Sequence, residues 1–172
     1  MMVVSQFRQV NLSVANVRTY VFAVFFVSGN IIFPQLCHLI PEGGKILLPI
    51  YFFTLIAAYK FGLRVGLLTA ILSPLCNHVL FGMPPLAVLP VLLVKSSVLA
   101  IAAAWIAGKT EKLSLLHIAL VVLAYQVIGG LAEWGITTEW SAAIQDFRLG
   151  YPGMLLQVIA GWGLLKCLAK YS

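Results

Sequence analysis

The stretch LPVLLVKSSVLAIAAAW, residues 89–105, is apolar over most of its length but carries one full positive charge, Lys95. About 20 mostly apolar residues are enough for a helix to cross the hydrocarbon core of a bilayer. A lysine near the centre of such a helix costs about 2.5–3.5 kcal/mol on insertion, so it is expected to have a partner or a function. Whether this stretch is a membrane span depends on the composition of the rest of the chain.

The remainder of the chain is apolar as well. Of the 172 residues, 62% are hydrophobic and only 9% are charged, whereas soluble domains average about 45–50% apolar and about 25% charged residues. The sequence therefore predicts an all-α integral membrane protein in contact with the lipid bilayer, with a single transmembrane domain over residues 1–172.

Six stretches are predicted to span the membrane. A tight turn that Gly62 permits separates the second from the third, and the helix-breaking sequence GMPP, residues 82–85, precedes the fourth. The predicted spans are residues 17–36, 46–59, 65–81, 86–107, 113–132 and 151–169.

Lysine and arginine predict the orientation of this bundle, because cytoplasmic segments of membrane proteins carry an excess of both. With both termini cytoplasmic, the external segments hold only Lys45 and Arg148. The cytoplasmic segments then hold eight cations: Arg8, Arg18, Lys60, Arg64, Lys109, Lys112, Lys166 and Lys170. This asymmetry explains the net charge of +6 as a signal of membrane orientation, without a nucleic-acid partner.

Small residues at helical spacing predict close packing between the spans, since they let helix backbones approach one another in lipid. The same residues are candidates for docking a partner protein in the membrane, and the sequence alone does not separate the two roles. The candidate docking residues are Ala23, Gly66, Ala70, Ala100 and Ala103.

Polar residues inside the predicted spans are concentrated in their outer halves. Lys95 lies nine residues into the fourth predicted span, about 14 Å from its outer end. Gln126 and Glu133 share one face of the fifth span by their spacing. We therefore predict a pocket that opens to the outside and is closed below by apolar helices. Its candidate residues are Lys95, Asn77, Gln126, Glu133, Gln157, Asn30 and His78.

Lys95 has three possible roles on the sequence alone. It contacts an anionic or electron-rich group of a substrate, it forms a structural ion pair with Glu133, or its side chain snorkels toward the interface. In the first role it favours a carboxylate, a phosphate or a carbonyl-rich ring as the ligand.

The segment between the fifth and sixth spans is rich in aromatic residues. Trp134, a further candidate for the pocket, belongs with Trp140, Phe147 and Tyr151 either to an aromatic belt at the membrane interface or to a lid that stacks on a flat ligand. The loop CHLIPEGG, residues 37–44, is a second candidate for a mobile cover.

Motifs of nucleotide-dependent and hydrolytic enzymes are absent from the sequence. It contains no GxxxxGK[ST] phosphate loop and no HExxH, CxxC or GxSxG motif. The predicted span interiors also lack the acidic residues that a proton relay requires. We expect a binding protein without enzymatic activity, cofactor or metal, which takes its energy from partner subunits.

Residues 43–90 resemble the S component of energy-coupling factor (ECF) transporters. The similar motifs are Leu47-Leu48-Pro49, Gly62 with Gly66, Ser73-Pro74-Leu75, and Gly82-Met83-Pro84-Pro85. The resemblance implies a substrate-binding subunit in the plasma membrane of a prokaryote, which binds a vitamin or another micronutrient. It also implies docking on a transmembrane T component with two ATPase subunits, and a binding site in the outer half of the bundle. Where the family often has a second alanine four residues after the first in span one, this chain has Val27 after Ala23.

Two other functions remain open from the residues. A structural or assembly subunit of a membrane complex would not need a polar pocket. A small membrane enzyme acting on lipid would need a catalytic acid or nucleophile, which the sequence does not identify.

Overall fold

The structure, a computed structural model, describes residues 7–110 and 112–169. Every regular element among these residues is a helix and no strand is present there, which confirms the predicted all-α class for the part of the chain described. The helices are α1 (Val17–Cys37), α2 (Gly43–Leu47), a 3-10 turn (Pro49–Tyr51), α3 (Phe52–Phe81), α4 (Leu89–Lys109), α5 (Leu115–Thr137), α6 (Trp140–Ala143), α7 (Gln145–Arg148) and α8 (Tyr151–Ala169).

Within the part of the chain that the structure describes, five helical segments are long and apolar enough to cross a membrane. They are α1, the continuous segment Pro49–Phe81, α4, α5 and α8. Their outer faces carry large exposed apolar side chains, such as Val24, Phe25 and Ile159, which water would not solvate favourably. By length and composition the chain has the character of a multi-pass membrane protein.

The helix α3 folds back on itself at Gly62. This residue has φ 86° and ψ 179°, outside the helical region. A Cβ atom placed on Gly66 would lie 2.4 Å from the Cβ of Ala58, whereas eight residues of straight helix span about 12 Å. Residues 52–61 and 63–81 are therefore two antiparallel arms. This reversal coincides with the turn that the sequence predicts between the second and third spans.

The first arm is shorter than the predicted second span and starts later. Residues 46 and 47 belong to the separate helix α2, because Leu48 adopts a left-handed conformation (φ 47°) and Pro49 then opens a new helical segment. From Pro49 to residue 61 the segment is about 20 Å long. No residue of this segment is exposed, because other helices of the bundle surround it.

Residues 7–16 cover the reversal at Gly62. The Gln9 side chain donates hydrogen bonds to the carbonyl oxygens of Ala58 (3.2 Å) and Ala104 (3.1 Å). The Arg64 guanidinium donates to the Leu12 carbonyl at 3.1 Å. The last carbonyls of a helix have no partner within that helix. The N-terminal segment satisfies those of Ala58, Tyr59 and Lys60, where the first arm ends.

The small residues predicted as a docking face lie inside the bundle. α3 packs against α1, α4 and α8, and its contact with α4 is the most extensive. Ser96 donates a hydrogen bond to the Ala70 carbonyl at 2.8 Å across that contact. All five candidates are buried by other helices of this chain and are not on its outer surface: Ala23, Gly66, Ala70, Ala100 and Ala103.

Two helix boundaries differ from the prediction in ways that matter for the pocket. α4 begins at Leu89 instead of residue 86, because residues 82–88 form a turn that contains Pro84 and Pro85. Lys95 is therefore six residues, about 9 Å, from the start of its helix and not about 14 Å. α5 continues to Thr137, five residues beyond the predicted end, and stops where Thr138 turns left-handed.

We predict that Gly62→Ala lowers the thermal stability of the purified protein in detergent. Alanine at this backbone conformation costs about 1–3 kcal/mol, and its Cβ would also collide with the Asn11 side chain. Gly163→Ala in α8 is the matched control, since nothing lies within 4 Å of the added Cβ. Equal melting temperatures for the two variants would contradict the reversal at Gly62.

Candidate functional site

A cavity of about 660 Å³ lies at the end of the bundle where α1 and α5 end and α4 begins. The loop with α2 and the short helices α6 and α7 complete its wall. Most of the wall is apolar, including Leu48, Pro49 and Val91. Among its charged lining residues, Lys95, Glu133 and Asp146 lie together. A cavity of this size and character suits a small organic ligand.

Lys95 lies between two carboxylates. Its Nζ atom is 2.5 Å from Oε2 of Glu133 and 2.8 Å from Oδ2 of Asp146. Only the Asp146 contact has the geometry of a hydrogen bond, so the Glu133 contact is an ion pair by distance alone. The Lys95 side chain is 4% exposed. The structure thus contains the ion pair with Glu133 that was one of the three roles open for Lys95, and it adds a second acid.

A glycine in α5 lets the lysine reach these partners. A Cβ atom on Gly129 would lie 2.6 Å from Cγ of Lys95, so the lysine stem crosses α5 where there is no side chain. Glu133 follows Gly129 by four residues and lies on the same helix face, one turn further along. Because Gly129 has no side chain, the Lys95 stem passes close to α5 and its ammonium group reaches the Glu133 carboxylate.

Asp146 is a site residue that the sequence analysis did not identify. It lies in α7, a four-residue helix within the segment between α5 and α8. The sequence does not predict which way its side chain faces, because a short irregular segment has no periodicity. The only sequence signal for Asp146 was Lys95, because a lysine inside a span needs an acidic partner. That partner can come from an external loop or from a neighbouring span.

Asn77 and Asn30 lie together, but only Asn77 lines the cavity. Asn30 donates hydrogen bonds to Thr54 and Ser73, both at 3.0 Å, and accepts one from the Phe53 amide at 3.2 Å. Asn77 donates to the Asn30 carbonyl at 2.9 Å. Asn30 therefore joins α1 to both arms of α3, which is a structural role in this conformation.

Gln126 and Gln157 are buried behind the cavity wall. The Tyr125 hydroxyl accepts a hydrogen bond from Gln126 (3.1 Å) and donates one to Gln157 (3.0 Å). The Tyr125 ring packs on that of Tyr51, with centroids 5.2 Å apart, and Tyr51 itself lines the cavity. The two glutamines thus support a wall residue and do not line the cavity themselves.

His78 and Trp134 lie outside the cavity lining. His78 Nδ1 is 2.7 Å from the Pro84 carbonyl oxygen, so the ring ties the end of α3 to the turn before α4. Trp134 is 48% exposed and meets the Trp140 ring edge to face at 5.5 Å. This exposed aromatic pair is typical of an interfacial belt.

Comparison of the chain with models of protein families, with characterised proteins and with solved structures finds no match. Functional inference therefore rests on the residues and their geometry.

The arrangement is suited to selective binding of a charged ligand. Lys95, Glu133 and Asp146 hold fixed charges in a mostly apolar cavity, where the low dielectric makes each charge act more strongly than it would in water. Lys95 lies on α4, Glu133 on α5 and Asp146 on α7, so three different helices position the three charges.

We predict that Lys95→Met destabilises the protein strongly. Removing one partner of a buried ion pair costs about 3–5 kcal/mol because it leaves an uncompensated charge. The combined change of Lys95→Met, Glu133→Gln and Asp146→Asn removes all three charges and should recover most of the lost stability in detergent melting curves. Lys45→Met is the matched control, since the exposed pair of Lys45 with Glu42 contributes about 1 kcal/mol or less. A triple variant no more stable than the single variant would contradict the ion-pair account.

A second prediction concerns the glycine that Lys95 crosses. Gly129→Ala forces the lysine stem away from α5, and overpacking of this kind costs about 1–3 kcal/mol. Gly135→Ala, in the same helix, meets nothing within 4 Å and should leave stability unchanged or raise it by up to about 1 kcal/mol. Thermal unfolding of the two variants provides the comparison, and a Gly129→Ala protein as stable as Gly135→Ala would show that the close approach is not required.

Proposed function

We propose that this chain is the substrate-binding membrane subunit of an ATP-driven importer. In this proposal the cavity holds a vitamin or another small micronutrient taken from outside the cell. The observation that carries the proposal is the 660 Å³ cavity, with Lys95, Glu133 and Asp146 in its wall. A purely structural bundle would not need such a cavity.

The proposed orientation puts the cavity on the external side of the membrane. The cavity end of the bundle carries Lys45 and Arg148, in α2 and α7. The opposite end carries the cations at the start of α1, at the reversal in α3, and at the ends of α4 and α8. The end opposite the cavity has more cations, and the cytoplasmic side of a membrane protein is expected to carry that excess. Six crossings with both termini cytoplasmic fit it, if each arm of α3 is one crossing. Lys170 lies outside the described residues.

Buried side chains below the cavity support the proposal that other subunits supply the energy for transport. Leu55 and Leu99, one turn further into the bundle than Tyr51 and Lys95, are fully buried. A ligand in the cavity therefore needs a second conformation of the protein to reach the cytoplasm, and a ligand alone shifts such an equilibrium only by its differential affinity. Because the sequence has no GxxxxGK[ST] phosphate loop, we assign the work to separate ATPase subunits.

The resemblance of residues 43–90 to ECF S components implies which kind of partner protein the chain would bind. A transmembrane T component would contact an outer face of the bundle. Because the five small candidates are buried in the chain, the docking surface has to include other residues. The exposed apolar face of α1, with Tyr20, Val24 and Phe25, is open to lipid or to a partner. The membrane would be the plasma membrane of a prokaryote.

A structural or assembly subunit is the second candidate function. The observation in its favour is that Lys95 already has two acidic partners within the chain. A bundle with this role would keep its ion pairs and bind no small molecule, so a binding measurement separates the two candidates.

Cysteine accessibility tests the proposed topology. In a background without Cys37, Cys76 and Cys167, we expect Glu42→Cys and Thr138→Cys to react with an impermeant thiol reagent added to intact cells. We expect Arg8→Cys and Lys112→Cys to react only after lysis. All four positions are exposed in the structure, so a missing reaction reports the membrane. External labelling at Lys112→Cys would contradict the proposed orientation.

Native mass spectrometry tests the binding function. Protein purified from membranes of its own host, in mild detergent, should retain a bound small molecule. Leu92→Trp fills the cavity and should lose that extra mass. Ile101→Trp is the matched control on the outer face of the same helix, where the side chain is 51% exposed, and should retain it. No extra mass in the wild-type protein, or equal occupancy in both variants, would count against the proposed site.

A further inference from the structure

The charged groups in the wall of the cavity do not balance. The single positive charge of Lys95 faces two negative charges, on Glu133 and Asp146, which leaves a formal charge of −1. These side chains are only 4%, 14% and 15% exposed, so bulk water and salt screen the excess incompletely.

The remaining ionisable groups of the lining do not cancel this excess. Lys45 and Glu42 also border the cavity, but they pair with each other at 2.7 Å and both are more than half exposed. His38 lines the cavity too, and it is exposed, so water and salt screen it. The negative excess therefore remains with Glu133 and Asp146.

Lys95 is poorly placed to bind an anion. Its ammonium group already contacts both carboxylates, so an anionic ligand that approached it would meet two like charges in a medium of low dielectric. This reverses the ligand preference expected from Lys95 alone, which was a carboxylate, a phosphate or a carbonyl-rich ring.

We infer that the ligand of this cavity is an amphipathic organic cation, with one positively charged nitrogen on an apolar body. The inference rests on the proposed binding function. A single positive charge beside Glu133 and Asp146 brings the site to neutrality, which removes the cost of an unbalanced charge in an apolar environment. Apolar side chains next to the charged groups, from Pro49, Val91 and Leu92, match an apolar body.

A bare metal ion matches the cavity less well than an organic cation. Within residues 7–110 and 112–169, no group of three His, Cys, Asp or Glu side chains is arranged to hold a metal ion. The two carboxylates present are bridged by the Lys95 ammonium, which occupies the position between them.

The sign of the charge can be measured without knowing the ligand. Leu92 lines the cavity three residues before Lys95 in α4. Leu92→Cys, in the cysteine-free background and in detergent, is treated with three methanethiosulfonates that carry ethyltrimethylammonium, hydroxyethyl or ethylsulfonate groups. Each rate is divided by the rate of that reagent with 2-mercaptoethanol. The ratio of the cationic to the anionic reagent is independent of the ionisation of the thiol itself, which affects both equally.

We expect this normalised ratio to exceed 1 by about tenfold, equivalent to about 1.4 kcal/mol. Asp146→Asn should bring it close to 1, and Glu133→Gln serves as the second neutralising variant if Asp146→Asn does not fold. Glu139→Gln is the matched control: it removes one negative charge from an exposed residue that does not line the cavity, and should leave the ratio unchanged.

The outcomes separate this inference from the proposed function. A normalised ratio at or below 1, or a raised ratio that neither neutralising variant lowers, overturns the cationic ligand and leaves the binding site standing. If none of the three reagents modifies Leu92→Cys in folded protein, the cavity is not accessible, and both the proposed function and this inference are wrong.

Discussion

The Lys95 ammonium group is buried in an apolar bundle, and its need for neutralisation determines the arrangement around it. The lysine belongs to α4, while its two acidic partners come from α5 and from α7, and both are distant from Lys95 in the sequence. A charge without partners at this depth would cost several kcal/mol. The contact therefore holds three segments together at one end of the bundle, and the cavity lies where they meet. The absence of a side chain at Gly129 is the local condition that makes this contact possible.

Much of the helical framework could be predicted from the sequence because apolar runs of membrane length are a strong signal. The predicted sixth span, residues 151–169, has the bounds of α8, and the first differs from α1 by one residue. The turn at Gly62 was also predictable, since glycine is the residue that accepts its backbone angles. The start of the first arm was not, because residues 46–59 are apolar enough to be predicted as one span, whereas the left-handed Leu48 separates residues 46 and 47 from the rest.

The candidate site was predictable only in part, because hydropathy gives the depth of a residue in the bundle but not its neighbours. Depth placed Lys95, Glu133 and Asn77 in the outer half of the bundle, and all three line the cavity. The same reasoning included Gln126 and Gln157, which lie at a suitable depth but turn toward Tyr125. Asp146 could not be placed from the sequence, since the path of a short loop depends on the helices it crosses. The buried positions of Ala100 and Ala103 likewise depend on which helices become neighbours.

The segment from Pro49 to residue 61 is short and surrounded by other helices, and this affects how the bundle fits a bilayer. At about 20 Å it is well below the 30 Å of a typical hydrocarbon core. A lipid-facing helix of that length would force the bilayer to thin or the helix to tilt, a cost known as hydrophobic mismatch. Because this segment has no exposed residue, lipid chains do not contact it and the mismatch does not arise. The peripheral helices, chiefly α1 and α8, are therefore the ones that adapt to membranes of different thickness. The length of the central segment does not have to match the bilayer.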